Sequence, residues 1–203
     1  MAIESGDIDG RDLMLRVCRG DEDAFEKLVA QFHRSVISTV YRYLGDACLA
    51  EDLAQDVFLK IYQARKRYKP LAKFETWLHR IVYNVVVNEA QSRRKRRAIS
   101  LETLKVQGWE DRCFRSEDIT DPAKHLQQQE LFMKVRETVS SLPAPQRMAL
   151  ILNKYQGMSY QDIAETLNMS VEAVKSLLYR AREKVRTKLQ AYLKSEATDD
   201  LEM

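Results

Sequence analysis

The chain has 203 residues, 45% hydrophobic and 31% charged, with a formal net charge of +3. That is room for one large domain or two small ones, each with its own core. Only 6 Gly and 4 Pro argue against a turn-rich β-sandwich, and no apolar run approaches the roughly 20 residues of a membrane span.

Met1-Ala2-Ile3-Glu4-Ser5 carries neither the basic nor the apolar part of an export signal, so the reading is a cytoplasmic protein without membrane insertion. Cys18, Cys48 and Cys113 have no metal-type spacing and read as reduced thiols. A helix over residues 9–19, with Leu13, Leu15 and Val17, stops at Gly20. Asp21 then caps a long amphipathic helix through Phe25, Leu28, Phe32, Val36, Val40 and Leu44, closed by Gly45. A third runs from Asp46 to about Tyr68 over Leu53, Val57, Phe58 and Ile61, and Pro70 ends it. A fourth runs from Phe74 into the basic block Arg93-Arg94-Lys95-Arg96-Arg97. Its Val85-Val86-Val87 favours a strand on propensity, but the periodic frame and the lack of a partner strand favour helix.

From Ala98 to Asp121 the periodicity fails, and 98–122 reads as a flexible linker. Helices follow at about 123–141, 143–155, 159–167 and 170–193. The fold class is therefore all-α: two small helical domains, 9–97 and 123–193, on a tether.

The strongest local signal is the stretch Gly157–Val174. Ser159 can cap a helix, and Asp162 can return a bond to its backbone as a capping box; Met158 and Ile163 form a hydrophobic staple. Ser170, with Met169 and Val174, repeats the device, and Asn168 suits the left-handed residue of a tight turn. This is a helix-turn-helix. Its second helix presents Lys175, Tyr179, Arg182 and Arg186, with Ser176 and Arg180 beside them. Arg reads guanine edges or pairs with phosphates, Ser bonds either, and Tyr packs on sugar or a thymine methyl.

On the fourth helix, the face opposite the apolar one carries Arg80, Asn84, Asn88 and Gln91 before the basic block. Two separated basic helical regions point to two contacts with a polyanion. The third helix turns Asp52, Gln55, Asp56, Leu59, Lys60 and Gln63 outward, a protein-binding pattern. His33, His79 and His125 lack a partnered carboxylate or nucleophile, and there is no Gly-rich phosphate loop. No enzyme, cofactor or metal site is indicated.

Glu51-Asp52-Leu53-Ala54-Gln55-Asp56-Val57-Phe58-Leu59-Lys60 and Phe74-Glu75-Thr76-Trp77-Leu78-His79-Arg80-Ile81-Val82-Tyr83-Asn84 resemble sigma domain two. Leu142-Pro143-Ala144-Pro145-Gln146-Arg147, the Gly157-Met158-Ser159-Tyr160 turn and Val174–Arg182 resemble sigma domain four. Their order and spacing resemble the extracytoplasmic-function class of bacterial RNA polymerase sigma factors. The resemblance implies that Asp52, Gln55, Asp56 and Lys60 meet the clamp helices of the largest subunit of core RNA polymerase. It implies that Trp77, Arg80, Asn84 and Asn88 open the −10 element and capture a flipped base, with Trp77 also serving the apolar stripe. It implies −35 promoter contacts at Lys175, Ser176, Tyr179, Arg180 and Arg182, a contact with the flap of the second-largest subunit, and an anti-sigma factor. Leu177 stands where relatives usually have Arg, and the loop Tyr68–Lys73 lacks their usual Gly and Asp. The competing reading is a helix-turn-helix activator or repressor whose N-terminal domain dimerises or senses a ligand.

Overall fold

The computed structural model describes residues 9–99 and 122–199, with side chains described over 9–96 and 130–192. The described residues form α1 (Gly10–Cys18), α2 (Glu22–Leu44), α3 (Ala47–Ala64), α4 (Phe74–Ile99), α5 (Pro122–Ser140), α6 (Ala144–Tyr155), α7 (Tyr160–Leu167) and α8 (Val171–Asp199). No strand occurs among them. Val85 and Val86 are buried in the middle of α4, so tertiary packing overrides their strand propensity.

Local chemistry sets the helix ends. Asp21 Oδ1 accepts the Ala24 N–H at 2.9 Å, and Asp46 Oδ1 accepts the Leu49 N–H at 3.1 Å, each satisfying an orphan donor of a first turn. Gly45 closes α2 at φ 76°, a conformation that a side chain would strain. In α1 Leu13 and Val17 are buried as expected, but Met14 rather than the half-buried Leu15 completes the stripe. The first turn of α1 also lies close to α4. A Cβ on Gly10 would come within 2.7 Å of both the Phe32 and Phe74 rings.

α3 ends at Ala64, four residues earlier than expected, and passes into a 3-10 turn over Arg65–Arg67. There the Arg65 carbonyl takes a hydrogen bond from Cys18 Sγ at 3.0 Å, and the Arg65 guanidinium lies over the Tyr62 ring at 3.8 Å. The first contact occupies a carbonyl that a further helical turn would use. α4 runs through Ile99, and Pro122 begins α5, where a missing N–H costs nothing. The proposed tether therefore shortens to 100–121, which lies outside the described residues.

α1 to α4 form one bundle and α5 to α8 another, but the two share one continuous buried core that runs from Leu13 to Leu178. α6 packs on α2, and α7 packs on α4. This arrangement was not expected from the sequence.

Candidate nucleic-acid interfaces

The helix-turn-helix is built as its spacing requires. Ser159 Oγ accepts the Asp162 N–H at 3.1 Å, and Ser170 Oγ accepts the Ala173 N–H at 3.2 Å. Asp162 closes back on the cap: its carboxylate is stabilised by the Ser159 backbone N–H, and its Oδ2 accepts from the Ser159 hydroxyl at 2.6 Å and from Lys73 at 3.1 Å. Burial opposes ionisation of Asp162, but these bonds outweigh it and hold the carboxyl below its usual range. Asn168 takes the left-handed conformation at φ 54°. Met158 and Ile163 are buried as a staple; Met169 is exposed, so the second staple stays open.

Ile163 and Ala164 of α7 and Val174, Leu178 and Ala181 of α8 are buried. That packing turns Lys175, Ser176, Tyr179, Arg180, Arg182 and Arg186 to solvent. Tyr179 is 68% exposed, a large aromatic with nothing over it. Arg182 is tethered, donating to Asn153 Oδ1 at 2.8 Å. Arg180 lies on the open face.

On α4, Phe74, Leu78, Val82 and Val85 face the bundle, leaving Arg80, Asn84, Asn88 and Gln91 exposed. Trp77 is half-buried against Tyr68 and Phe74, with ring centroids 4.8 and 5.8 Å away. A cleft of about 230 Å³ opens beside it, lined by Arg67, Lys69, Leu71, Ala72, Thr76, Trp77 and Arg80. Sequence reasoning passed over Arg67, Lys69 and Leu71. The clue was present: a basic loop with an apolar tip just before an aromatic helix start. Of the basic block, Arg93 pairs with Asp46 and Glu89, and Arg96 pairs with Glu89. Only part of that block is left for phosphates.

On α3, Leu53, Val57, Phe58 and Ile61 are buried, which leaves Asp52, Gln55, Asp56 and Lys60 on the outer side around Leu59, itself 57% exposed. An acidic and amide face with an exposed Leu at its centre suits a protein partner.

Residues 28–97 match the family Sigma-70 region 2, and residues 132–185 match Sigma-70, region 4. The chain is 33% identical over 184 residues to the RNA polymerase sigma-H factor of Pseudomonas aeruginosa, covering 91% of this chain and 95% of that one. It is 33% identical over 185 residues to the ECF RNA polymerase sigma-E factor of Escherichia coli, covering 90% and 95%. The chain belongs to the extracytoplasmic-function sigma factors. Among solved structures it is similar to CnrH in complex with the cytosolic domain of CnrY. The TM-score is 0.65 at 24% identity, over 90% of this chain and 97% of that one. It is also similar to the Bartonella quintana sigma factor RpoE in complex with the anti-sigma factor NepR (TM-score 0.63, 20% identity, 82% and 96% covered). These two likenesses establish the shared fold.

As a sigma factor, the chain directs RNA polymerase to promoters. The match of its N-terminal half to region 2 disfavours the reading of that half as a dimerisation or ligand-sensing domain. Among the described residues no cluster of His, Cys, Asp and Glu fits a metal ion, and no helix is long and apolar enough to cross a membrane. Burial raises the Cys18 thiol pKa against the pull of Arg19 and Arg65, which keeps the thiol protonated; Cys48 is exposed, and Cys113 lies outside the described residues.

Proposed function

We infer that this sigma factor divides its work among three exposed faces. Lys175, Ser176, Tyr179, Arg180 and Arg182 on α8 read the −35 element in the major groove. Trp77, Arg80, Asn84 and Asn88 on α4, with the cleft beside Trp77, capture the unpaired −10 strand. Asp52, Gln55, Asp56 and Lys60 on α3 hold the clamp helices of the polymerase's largest subunit, and the second helical unit meets the flap of the second-largest. The single observation that carries this reading is the exposed polar and basic stripe on each of two helices, α4 and α8, in separate bundles.

The division follows from chemistry. Removing a base from the stack costs a few kcal/mol, so the site that takes it must supply stacking and pairing of its own. Trp77 and Asn84 supply those at one end of α4, and the exposed Arg94 and Lys95 supply phosphate affinity at the other. No side chain here performs a reaction, and bond making belongs to the polymerase in the cytoplasm. An anti-sigma factor is the matching regulatory partner; the similar solved structures are CnrH with the cytosolic domain of CnrY and RpoE with the anti-sigma factor NepR.

Run-off transcription with purified core polymerase tests the reading. The chain should confer initiation from its own promoters, and a chain that neither binds core nor supports initiation overturns it.

A further inference from the structure

The cleft beside Trp77 is walled by hydrogen-bond donors. Arg67, Lys69 and Arg80 stand exposed around it, and none of their charged groups can accept a hydrogen bond. Arg80 gives one N–H to the Glu165 carbonyl and keeps the others of its fork. The half-buried Trp77 indole is a donor only as well. Among the described residues no carboxylate or amide side chain lines the cleft. Thr76 is the one lining side chain able to accept. Its hydroxyl is buried without a hydrogen-bond partner among the described residues, and a hydroxyl serves a donor and an acceptor alike.

The loop that carries half of this lining is held in shape. Pro70 fixes a backbone angle, the Leu71 N–H closes back on the Lys69 carbonyl at 2.8 Å, and the Tyr68 ring lies 4.8 Å from Trp77. That turn bond also occupies a main-chain acceptor of the lining. At about 230 Å³ the cleft is smaller than the roughly 300–1,000 Å³ of a site for a drug-sized molecule, a scale that suits one flipped base.

A flipped base stays joined to its sugar, so the group opposite that bond leads into a cleft. In guanine and thymine this group is a keto oxygen, which accepts. In adenine and cytosine it is an amine, which donates. An amine among these side chains sets donor against donor, and both lose the partners they had in water. Guanine adds N7 beside its keto oxygen, so two adjacent acceptors meet a guanidinium fork. Leu71, 89% exposed at the loop tip, offers with Trp77 apolar area to the face of any base and does not choose among them.

We propose that this cleft reads the flipped −10 base by its keto oxygen, ranking guanine first, thymine second, and adenine and cytosine last. The proposal rests on the −10 assignment above and adds to it the chemistry of the base selected.

The test uses holoenzyme, the full chain bound to core polymerase, with core polymerase alone as the blank. The probes are short single strands of abasic residues carrying one central base, titrated by fluorescence anisotropy. Hypoxanthine and adenine give the cleanest comparison, since both are purines and only the first has the keto oxygen. Hypoxanthine should bind about tenfold tighter than adenine, the discrimination of one good base contact, with guanine beside hypoxanthine and thymine ahead of cytosine. Arg67→Gln and Lys69→Gln each place a carbonyl among the donors, and glutamine pairs with adenine. At least one of them should bring adenine within about threefold of hypoxanthine. Both positions are exposed, so helical circular dichroism should stay at the wild-type level. Equal binding of hypoxanthine and adenine overturns the proposal, as does preference for the amine. So does a keto preference that core polymerase shows alone, or one that survives both substitutions. A failed −10 assignment has a separate signature: holoenzyme that binds no base-bearing strand better than a wholly abasic one. That result removes the base preference with it.

Discussion

Arg93 of α4 places Nη2 2.9 Å from Oδ2 of Asp46, the same carboxylate whose other oxygen caps α3. A member of the basic block is thereby a strut between two helices of the first bundle. Burial opposes ionisation of Asp46, but the Leu49 N–H and the Arg93 guanidinium outweigh it and lower its pKa. Both side chains are about a third exposed, so screening keeps the pair modest. Arg93→Ala should cost about 1 kcal/mol, and Asp46→Ala, which also removes the cap, about 1–2 kcal/mol. A carboxyl with a lowered folded pKa contributes stability above its unfolded value of about 3.9 and loses it as pH falls through the folded value. Urea melts at pH 7 and pH 3 check this: the Asp46→Ala penalty should be full at pH 7 and shrink at pH 3.

His79 is 3% exposed, and burial pushes its pKa down to about 4. The folded protein therefore holds it neutral while the unfolded chain protonates it near pH 6.5. Stability is fully present above pH 6.5 and falls as pH drops toward 4. The loss should reach about 3 kcal/mol by pH 4, because each tenfold difference in proton affinity between the folded and unfolded chains is worth about 1.4 kcal/mol. His79→Leu should flatten that stretch of the curve. Chemical denaturation of both proteins from pH 7.5 to 4 is the measurement, and parallel curves would exclude His79 as the source.

Residues whose role is set by neighbours within one helical turn were legible in the sequence. Asp21, Asp46, Ser159, Ser170 and Asn168 cap or turn as their local spacing dictates. The exposed stripe on α8 follows from the same periodicity. What the sequence did not show depends on partners far away in the chain. Arg93 meets Asp46 47 positions back, and Thr166 meets Thr76 90 positions back. No periodicity encodes such pairs, so Arg93 read as a phosphate contact and the docking of α7 went unseen. Asp162 shows the boundary between the two cases. Its cap was legible, and Lys73, which joins the same carboxylate from 89 positions away, was not.

Arg180 and Arg182 sit two positions apart on α8 but should fail differently. Arg180 is on the open face, whereas Arg182 is tied to Asn153 of α6. Arg180→Ala should cost −35 duplex binding about 1–3 kcal/mol and relax preference at one base pair, as removal of a base contact does. Arg182→Ala should weaken binding nearly uniformly across sequences and lower the melting temperature slightly through the lost α6–α8 tie. Anisotropy titrations against a panel of single-base −35 variants separate the two. An unchanged preference in Arg180→Ala would remove it from base readout.

The outer face of α3 can be tested without disturbing the fold. Asp56 is exposed and one turn of helix from Lys60 and Asp52, so a charge reversal there meets no buried neighbour and should change stability by no more than about 0.5 kcal/mol. Against a basic partner surface the same reversal replaces attraction with repulsion, which changes affinity by a factor of about ten or more. Asp56→Arg should therefore keep the helical circular dichroism and melting temperature of the wild type while losing competition with it for core polymerase. Leu59→Ala supplies the apolar counterpart: a 57% exposed Leu contributes little to the free chain, so any loss of core binding reports its burial in the complex. If both variants co-elute with core as the wild type does, α3 is a solvated face and the polymerase contact lies elsewhere on the first bundle.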